Sequence, residues 1–204
     1  MEVISDCRCF IRYETESWLS KSGSEEGYAT SIFGSILHAD DEDDDDGTLC
    51  GHIRVCHLRC TEMLANDEFD PRKWARMESD ELAEIAKSIY RAGGGWSKEF
   101  EIMFGDVAQK DMLVISEVEL HPEFRGRGIG LQAVSRTMEL FGGSCGVAAL
   151  CPWPTELEDR KDEQEARRAH AKLAKYSERI GFCQLADKDV WVRSVTGRPK
   201  RTGS

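Results

Sequence analysis

Arg125-Gly126-Arg127-Gly128-Ile129-Gly130 is the segment of this sequence best suited to chemistry. Three glycines at alternate positions let a backbone approach a ligand closely and turn its N–H groups toward it. Arg125 and Arg127 add charge and the forked donors that suit phosphate. A helix-forming stretch follows, and the positive end of a helix favours an anion. By residue type this is a local anion site. It is neither of the two common phosphate loops. G-x-x-x-x-G-K-[ST] is absent, and the dinucleotide fingerprint needs a glycine at position 131, where the chain has Leu131. The plainer alternative is a glycine-rich strand-to-helix turn whose arginines face water.

Just upstream, Glu117 and Glu119 alternate with Val118 and Leu120 in an apolar stretch. Strand geometry puts the two carboxylates on one face and the two aliphatic side chains on the other. Partial shielding from water would raise the pKa of a carboxylate there. The plainer alternative is exposure, or pairing with Arg125 or Arg127. Cys50, His52, Cys56, His57 and Cys60 are a possible ligand set. They include no C-x-x-C pair and do not match structural zinc spacings, so no metal is expected.

These groups need elements to hold them. Residues 2–13, 28–38 and 48–60 read as strands. Asp70-Pro71-Arg72 is a turn or helix start. Ser79-Asp80-Glu81 caps a helix whose Leu82, Ile85, Ala86 and Ile89 recur at helical spacing up to Arg91. A short helix is expected from Ser97 to Phe104. Met112 to Leu120 is the best central strand, stopped by His121-Pro122. A helix over 128–141, a buried strand over 145–151 and a charged helix over 162–180 follow. Residues 182–185 and 190–193 form a closing hairpin. The order β-β-β, helices, β-α-β-α-β-β is that of an α/β fold with a mixed sheet and helices packed on it. Residues 1–193 are expected to form a single domain, with a basic, loose tail over 194–204.

Composition bounds what such a domain can bind. The chain has 204 residues and a net charge of −11. Seven of the negative charges lie in the run Asp40–Asp46, which must be solvated, and without it the balance is −4. An acidic surface argues against nucleic acid and anionic lipid as partners. No apolar run is long enough to span a bilayer and the start carries no secretory pattern, so a cytoplasmic location is expected. The eight cysteines then read as reduced, mostly buried thiols.

Val118-Glu119-Leu120-His121-Pro122-Glu123-Phe124-Arg125-Gly126-Arg127-Gly128-Ile129-Gly130 resembles motif A of the GNAT superfamily of N-acetyltransferases. That motif reads [RQ]-x-x-G-x-[GA] after a strand ending near V-x-P, and Arg125, Gly128 and Gly130 occupy its defining positions. Tyr176-Ser177-Glu178-Arg179-Ile180-Gly181-Phe182 is similar to the ending of the family's motif B. The resemblance covers residues 112–193; the first hundred residues match only in their β-then-helix plan.

The resemblance implies a GNAT-like fold, a central mixed but mostly antiparallel sheet flanked by helices, with the coenzyme-binding core over about 112–193. It implies acetyl-CoA as co-substrate and an amine as acceptor. Backbone amides from Gly126 through Arg127, Gly128, Ile129 and Gly130 to Leu131 would cradle the pyrophosphate, with Arg125 opening the loop. Leu120 would offer its main chain to the pantetheine arm, and the strand over 145–151 would splay away to make room. Glu117 or Glu119 would act as base. The usual tyrosine that protonates the thiolate falls on Ser177, with Tyr176 one residue before it, so either is a candidate acid. His170 falls where the family often has an asparagine near the cofactor. Trp153, between two prolines, would line the acceptor pocket. The acidic surface suits a cationic acceptor, and the protein would be a monomer or homodimer. A catalytically weak module that binds acyl-CoA or a partner is the alternative.

Overall fold

A computed structural model describes residues 8–16, 25–39, 46–65, 70–151, 163–186 and 188–195. Seven strands form one sheet in the order β1-β2-β3-β4-β5-β7-β6. They are β1 (Cys9–Glu16), β2 (Ala29–His38), β3 (Thr48–Leu58), β4 (Met112–Leu120), β5 (Val147–Leu150), β6 (Cys183–Gln184) and β7 (Trp191–Ser194). All neighbours are antiparallel except β4 and β5, which run parallel. A parallel pair needs a crossover, and the helix between β4 and β5 supplies it. The mixed, mostly antiparallel sheet flanked by helices is the fold class expected from the sequence. No helix among the described residues is long and apolar enough to cross a membrane.

The helices are α1 (Cys60–Ala65), α2 (Pro71–Glu78), α3 (Asp80–Ile89), α4 (Lys98–Phe104), α5 (Ile129–Phe141) and α6 (Glu163–Glu178). Three of them start on a side chain that satisfies a free backbone N–H. Asp70 accepts from Arg72 N at 2.9 Å, Ser79 from Leu82 N at 3.1 Å and Ser97 from Phe100 N at 3.3 Å. Two apolar layers result. One packs Met63, Trp74, Ile85, Ile89 and Phe100 of α1–α4 against Met112 and Val114 of β4. The other packs Ile129, Ala133, Val134 and Met138 of α5, with Ala174 of α6, against Leu113 and Ile115. Residues 112–115 therefore have apolar layers on both sides of the sheet and are buried, which explains their unbroken apolar run.

Several boundaries differ from the sequence reading: β1 runs on to Glu16, β5 is only Val147–Leu150, α6 ends at Glu178, and the turn or helix start at 70–72 opens the full helix α2. The strand expected over 48–60 ends at Leu58, because Cys60 begins α1, and a six-residue helix has too few positions to show a period. Ser194 pairs with Val147, and Val195 N donates to Gly146 O at 3.2 Å. The sheet thus takes in Ser194, the first residue of the expected tail, and Val195 is tied to it by one backbone hydrogen bond. The acidic run lies mainly outside the described residues, as do the rest of the tail and Trp153. The seven described cysteines, Cys9, Cys50, Cys56, Cys60, Cys145, Cys151 and Cys183, are all free thiols.

Candidate active site

Strand β4 outruns its parallel partner. Its ladder with β5 stops at Ile115 and Leu150. Its ladder with β3 continues to Leu120 opposite Gly51, and His121 N adds a bond to Cys50 O at 2.7 Å. Among the described residues, 116–120 therefore have β3 on one edge and no strand on the other. An unpaired strand edge is a template for an extended ligand. The close approach on the paired edge depends on Gly51, since a Cβ there would lie 2.0 Å from Glu119 O.

One extra residue decides which way the glutamates point. The β3 ladder steps from Val55 opposite Ile115 to Arg54 opposite Glu117, so Ser116 is a bulge in β4. Leu113 and Ile115 face the α5 layer, and strict alternation would send residues 117 and 119 the same way. The bulge reverses that parity. Val118 and Leu120 take the α5 side, where they pack against its apolar layer. Glu117 and Glu119 point to the opposite face, as two carboxylates on one side of the strand.

On that face the sequence reading had missed two partners. His52 Nε2 lies 3.5 Å from Glu117 Oε2 and 3.6 Å from Glu119 Oε2. Arg54 Nε lies 3.4 Å from Glu117 Oε2. The His52 ring stacks on Phe33, with centroids 5.7 Å apart and planes 25° from parallel. His52 and Arg54 alternate on β3 as the glutamates do on β4. That polar pair in an apolar strand is the signal the sequence offered, but only the antiparallel register brings the two pairs together. The ligand atoms of His52, Glu117 and Glu119 all lie within 4.8 Å of one another, so this trio has the donor set to hold a divalent cation.

At the end of β4 the chain turns through the glycine loop. Gly126 and Gly128 both have left-handed backbones, with φ of 75° and 83°. Only glycine adopts this conformation without strain, which is why the loop needs these residues. Gly128 is the N-cap of α5, and no side chain caps that helix. Among the described residues, and in contrast to α2, α3 and α4, no side chain caps the first N–H groups of α5, an arrangement that suits an anion. A Cβ on Gly126 would meet nothing within 4 Å, so the loop is open on that side. Gly130 is tucked inward, its Cβ direction 3.6 Å from Val118 Cγ1 and 3.7 Å from Leu120 Cδ1. Ile129 is buried, and Leu131 is half-buried in the first turn of α5.

The flanking side chains surround this turn. Arg125 Nε donates to Leu120 O at 2.7 Å, occupying the carbonyl nearest the loop. The Arg127 guanidinium stands 5.8 Å from the Phe124 ring centre. Tyr176 of α6 puts its hydroxyl 3.9 Å from the position a Gly128 Cβ would take, and Arg179 covers its ring at 5.4 Å. Ser177, one residue on, is buried and donates its hydroxyl to Leu173 O at 3.1 Å. His170 faces Asp189 of the β6–β7 turn, Nε2 to Oδ1 at 3.8 Å. It lies six residues from Tyr176, about 240° round the helix at roughly 100° per residue, so the two occupy different faces of α6.

The structure thus collects Leu120, residues 125–131 and Tyr176 at one place. It collects Glu117, Glu119, His52 and Arg54 on the other face of the same strand. It does not bring Ser177's hydroxyl or His170's ring to the glycine turn.

No family model matches the chain, and no curated protein matches it. Among solved structures, the chain is similar to two of Arabidopsis thaliana NAA60. The complex with acetyl-CoA aligns at 14% identity and a TM-score of 0.41, covering 80% of this chain and 76% of that one. The complex with a bisubstrate analogue aligns at 12% identity and a TM-score of 0.40, with the same coverage.

Proposed function

We propose that this protein is a GNAT-type N-acetyltransferase that moves an acetyl group from acetyl-CoA to a primary amine. One observation carries the reading: among the described residues, a helix with no side-chain cap begins at a left-handed glycine, beside a strand whose edge is open for five residues. The amides from Gly126 to Leu131 and the positive end of α5 hold the diphosphate. Arg125 exchanges the Leu120 carbonyl for a phosphate oxygen. The pantetheine arm adds to residues 116–120 of β4 as an extra strand, and its thioester reaches the point where β4 and β5 part.

The bulge at Ser116 gives the two substrates separate faces. The coenzyme comes from the α5 side, and the acceptor comes from the side of Glu117, Glu119 and His52. Two carboxylates there favour a cationic amine, by steering and by local attraction. Amine attack needs loss of a proton to a base on that face, and the departing thiolate needs a proton. A backbone N–H of β4 at the gap stabilises the oxyanion. Tyr176 is the donor on the coenzyme side.

A thermal-shift and thiol-release experiment tests this. Acetyl-CoA at about 100 times its Kd should stabilise the fold by roughly 2.7 kcal/mol. That is about 5–11 °C at roughly 2–4 °C per kcal/mol for a domain of this size. Thiol should then appear with at least one member of a panel of small amines, polyamines and amine-bearing peptides. Stabilisation without thiol release would identify a catalytically weak acyl-CoA-binding module. Equal stabilisation by inorganic pyrophosphate would leave only an anion-binding domain.

A further inference from the structure

Two carboxylate oxygens stand at His52 Nε2, Glu117 Oε2 at 3.5 Å and Glu119 Oε2 at 3.6 Å. Both distances exceed a hydrogen bond, which brings N and O to about 2.7–3.2 Å. They match instead the spacing of ligands around a small cation. Tetrahedral bonds of about 2.0–2.2 Å put neighbouring ligand atoms roughly 3.3–3.6 Å apart. All three ligand atoms lie within 4.8 Å of one another, so a small side-chain rotation closes the edge between the two carboxylates. The backbone sets this spacing. His52 pairs directly with Glu119 across the β3–β4 ladder, and Glu117 lies two residues along on the same face. Stacking on Phe33, with centroids 5.7 Å apart, holds the ring.

We propose that His52, Glu117 and Glu119 form a binding site for one divalent transition-metal ion of the zinc class. One imidazole and two carboxylates suit such an ion better than Mg²⁺ or Ca²⁺, which take oxygen ligands. The three side chains are 27%, 23% and 43% exposed, so an ion reaches them from solvent and keeps water on its open side. Two carboxylates this close repel each other, and a dication between them removes that cost. Arg54 relieves part of it, with Nε 3.4 Å from Glu117 Oε2; its side chain is 63% exposed and can turn out to water when an ion enters. Of Cys50, His52, Cys56, His57 and Cys60, only His52 takes part. The other two donors come from β4, through the register and the bulge at Ser116.

The test uses the full chain with its thiols reduced, and Co²⁺ as a coloured stand-in for Zn²⁺. Visible bands should rise to saturation at one ion per chain, without the intense near-ultraviolet band of a cobalt–thiolate bond. Zn²⁺ should displace Co²⁺, and equal concentrations of Mg²⁺ or Ca²⁺ should not. Losing a group that only supports a ligand costs about 10- to 100-fold in affinity, so His52→Ala and Glu119→Gln should each raise the Co²⁺ Kd by at least about 100-fold. In the wild-type NMR spectrum, Zn²⁺ should move the His52 ring and the His52, Glu117 and Glu119 amides most. A thiolate band, equal displacement by Mg²⁺, an unchanged Kd in both variants, or no saturation at millimolar Co²⁺ would overturn the site. If neither variant folds, the wild-type spectrum decides, and shifts centred away from these three residues overturn it. Metal binding alone is measured, so failure here leaves the N-acetyltransferase reading standing, and failure of that reading leaves the ion site standing.

Discussion

Replacing Gly128 by alanine, compared with the same change at Gly130, separates a turn that grips a ligand from one that only connects two elements. Gly128 has φ of 83° and caps α5. An L-residue held there costs about 1–2 kcal/mol. Its new Cβ would have only the Tyr176 hydroxyl near, at 3.9 Å, so backbone strain is the main cost in the empty protein. At roughly 2–4 °C per kcal/mol, Tm should fall by about 2–8 °C. If the empty loop relaxes to avoid the strain, the same energy appears in coenzyme affinity, because the cradle must be rebuilt on binding. The methyl group also enters the space the diphosphate needs. Coenzyme A Kd should therefore rise at least tenfold, about 1.4 kcal/mol. Gly130 lies inside α5, where its Cβ would make ordinary contacts with Val118 and Leu120 at 3.6 and 3.7 Å. Alanine there should stabilise the fold by up to about 1 kcal/mol and leave Kd within twofold. Calorimetric titration of both variants, with Tm from scanning calorimetry, checks this. Equal Kd in Gly128→Ala and wild type would mean that the turn does not grip the coenzyme, whatever happens to Tm.

Three further outcomes follow. Gly51→Ala would put a Cβ 2.0 Å from Glu119 O, so β3 and β4 must separate. Stability should fall by about 1–3 kcal/mol, the usual cost of overpacking, and coenzyme affinity should fall as the β4 edge shifts; urea melts with coenzyme titration would show both losses. Tyr176→Phe should raise coenzyme Kd with little change in kcat if the hydroxyl holds the diphosphate, or lower kcat at constant Kd if it protonates the thiolate; no change in either removes Tyr176 from the site. Burial pushes the thiols of Cys56, Cys60, Cys145 and Cys151 up to about 12 from an ordinary value of 9.0. Between those values the unfolded chain releases protons that the folded chain keeps, so stability should decline as pH rises above 9. The limiting slope is about 1.4 kcal/mol per pH unit for each thiol. Denaturant melts from pH 8 to 10.5 would measure it, and a flat profile would count against buried thiols.

Much of the frame was legible because each element carried its own local signal. Met112 to Leu120 showed the central strand by its apolar run, with Pro122 closing it. Ser79 marked its helix as a cap, Asp70-Pro71-Arg72 and Ser97 marked where two others could begin, and Gly128 marked the start of α5. The coenzyme side of the site is one continuous segment, so it could be read directly. The acceptor side could not. His52 and Glu119 are far apart in sequence and meet only through the β3–β4 register. The bulge at Ser116 carries no glycine or proline to announce it, although the faces of Glu117 and Glu119 depend on it. The placement of Tyr176 near the turn and of Ser177 in the core rests on how α6 is rolled against the sheet, which one residue of sequence offset does not settle.

On this reading the main-chain amides of the glycine turn hold a diphosphate, and β4 offers its open edge to the arm attached to it. Backbone amide NMR during titration with coenzyme A tests this most directly. Saturable shifts should appear at residues 126–131 and along 116–120, with the Gly126, Gly128 and Ile129 amides moving most. Saturable binding that leaves those amides in place, or no binding at millimolar coenzyme, would contradict the account.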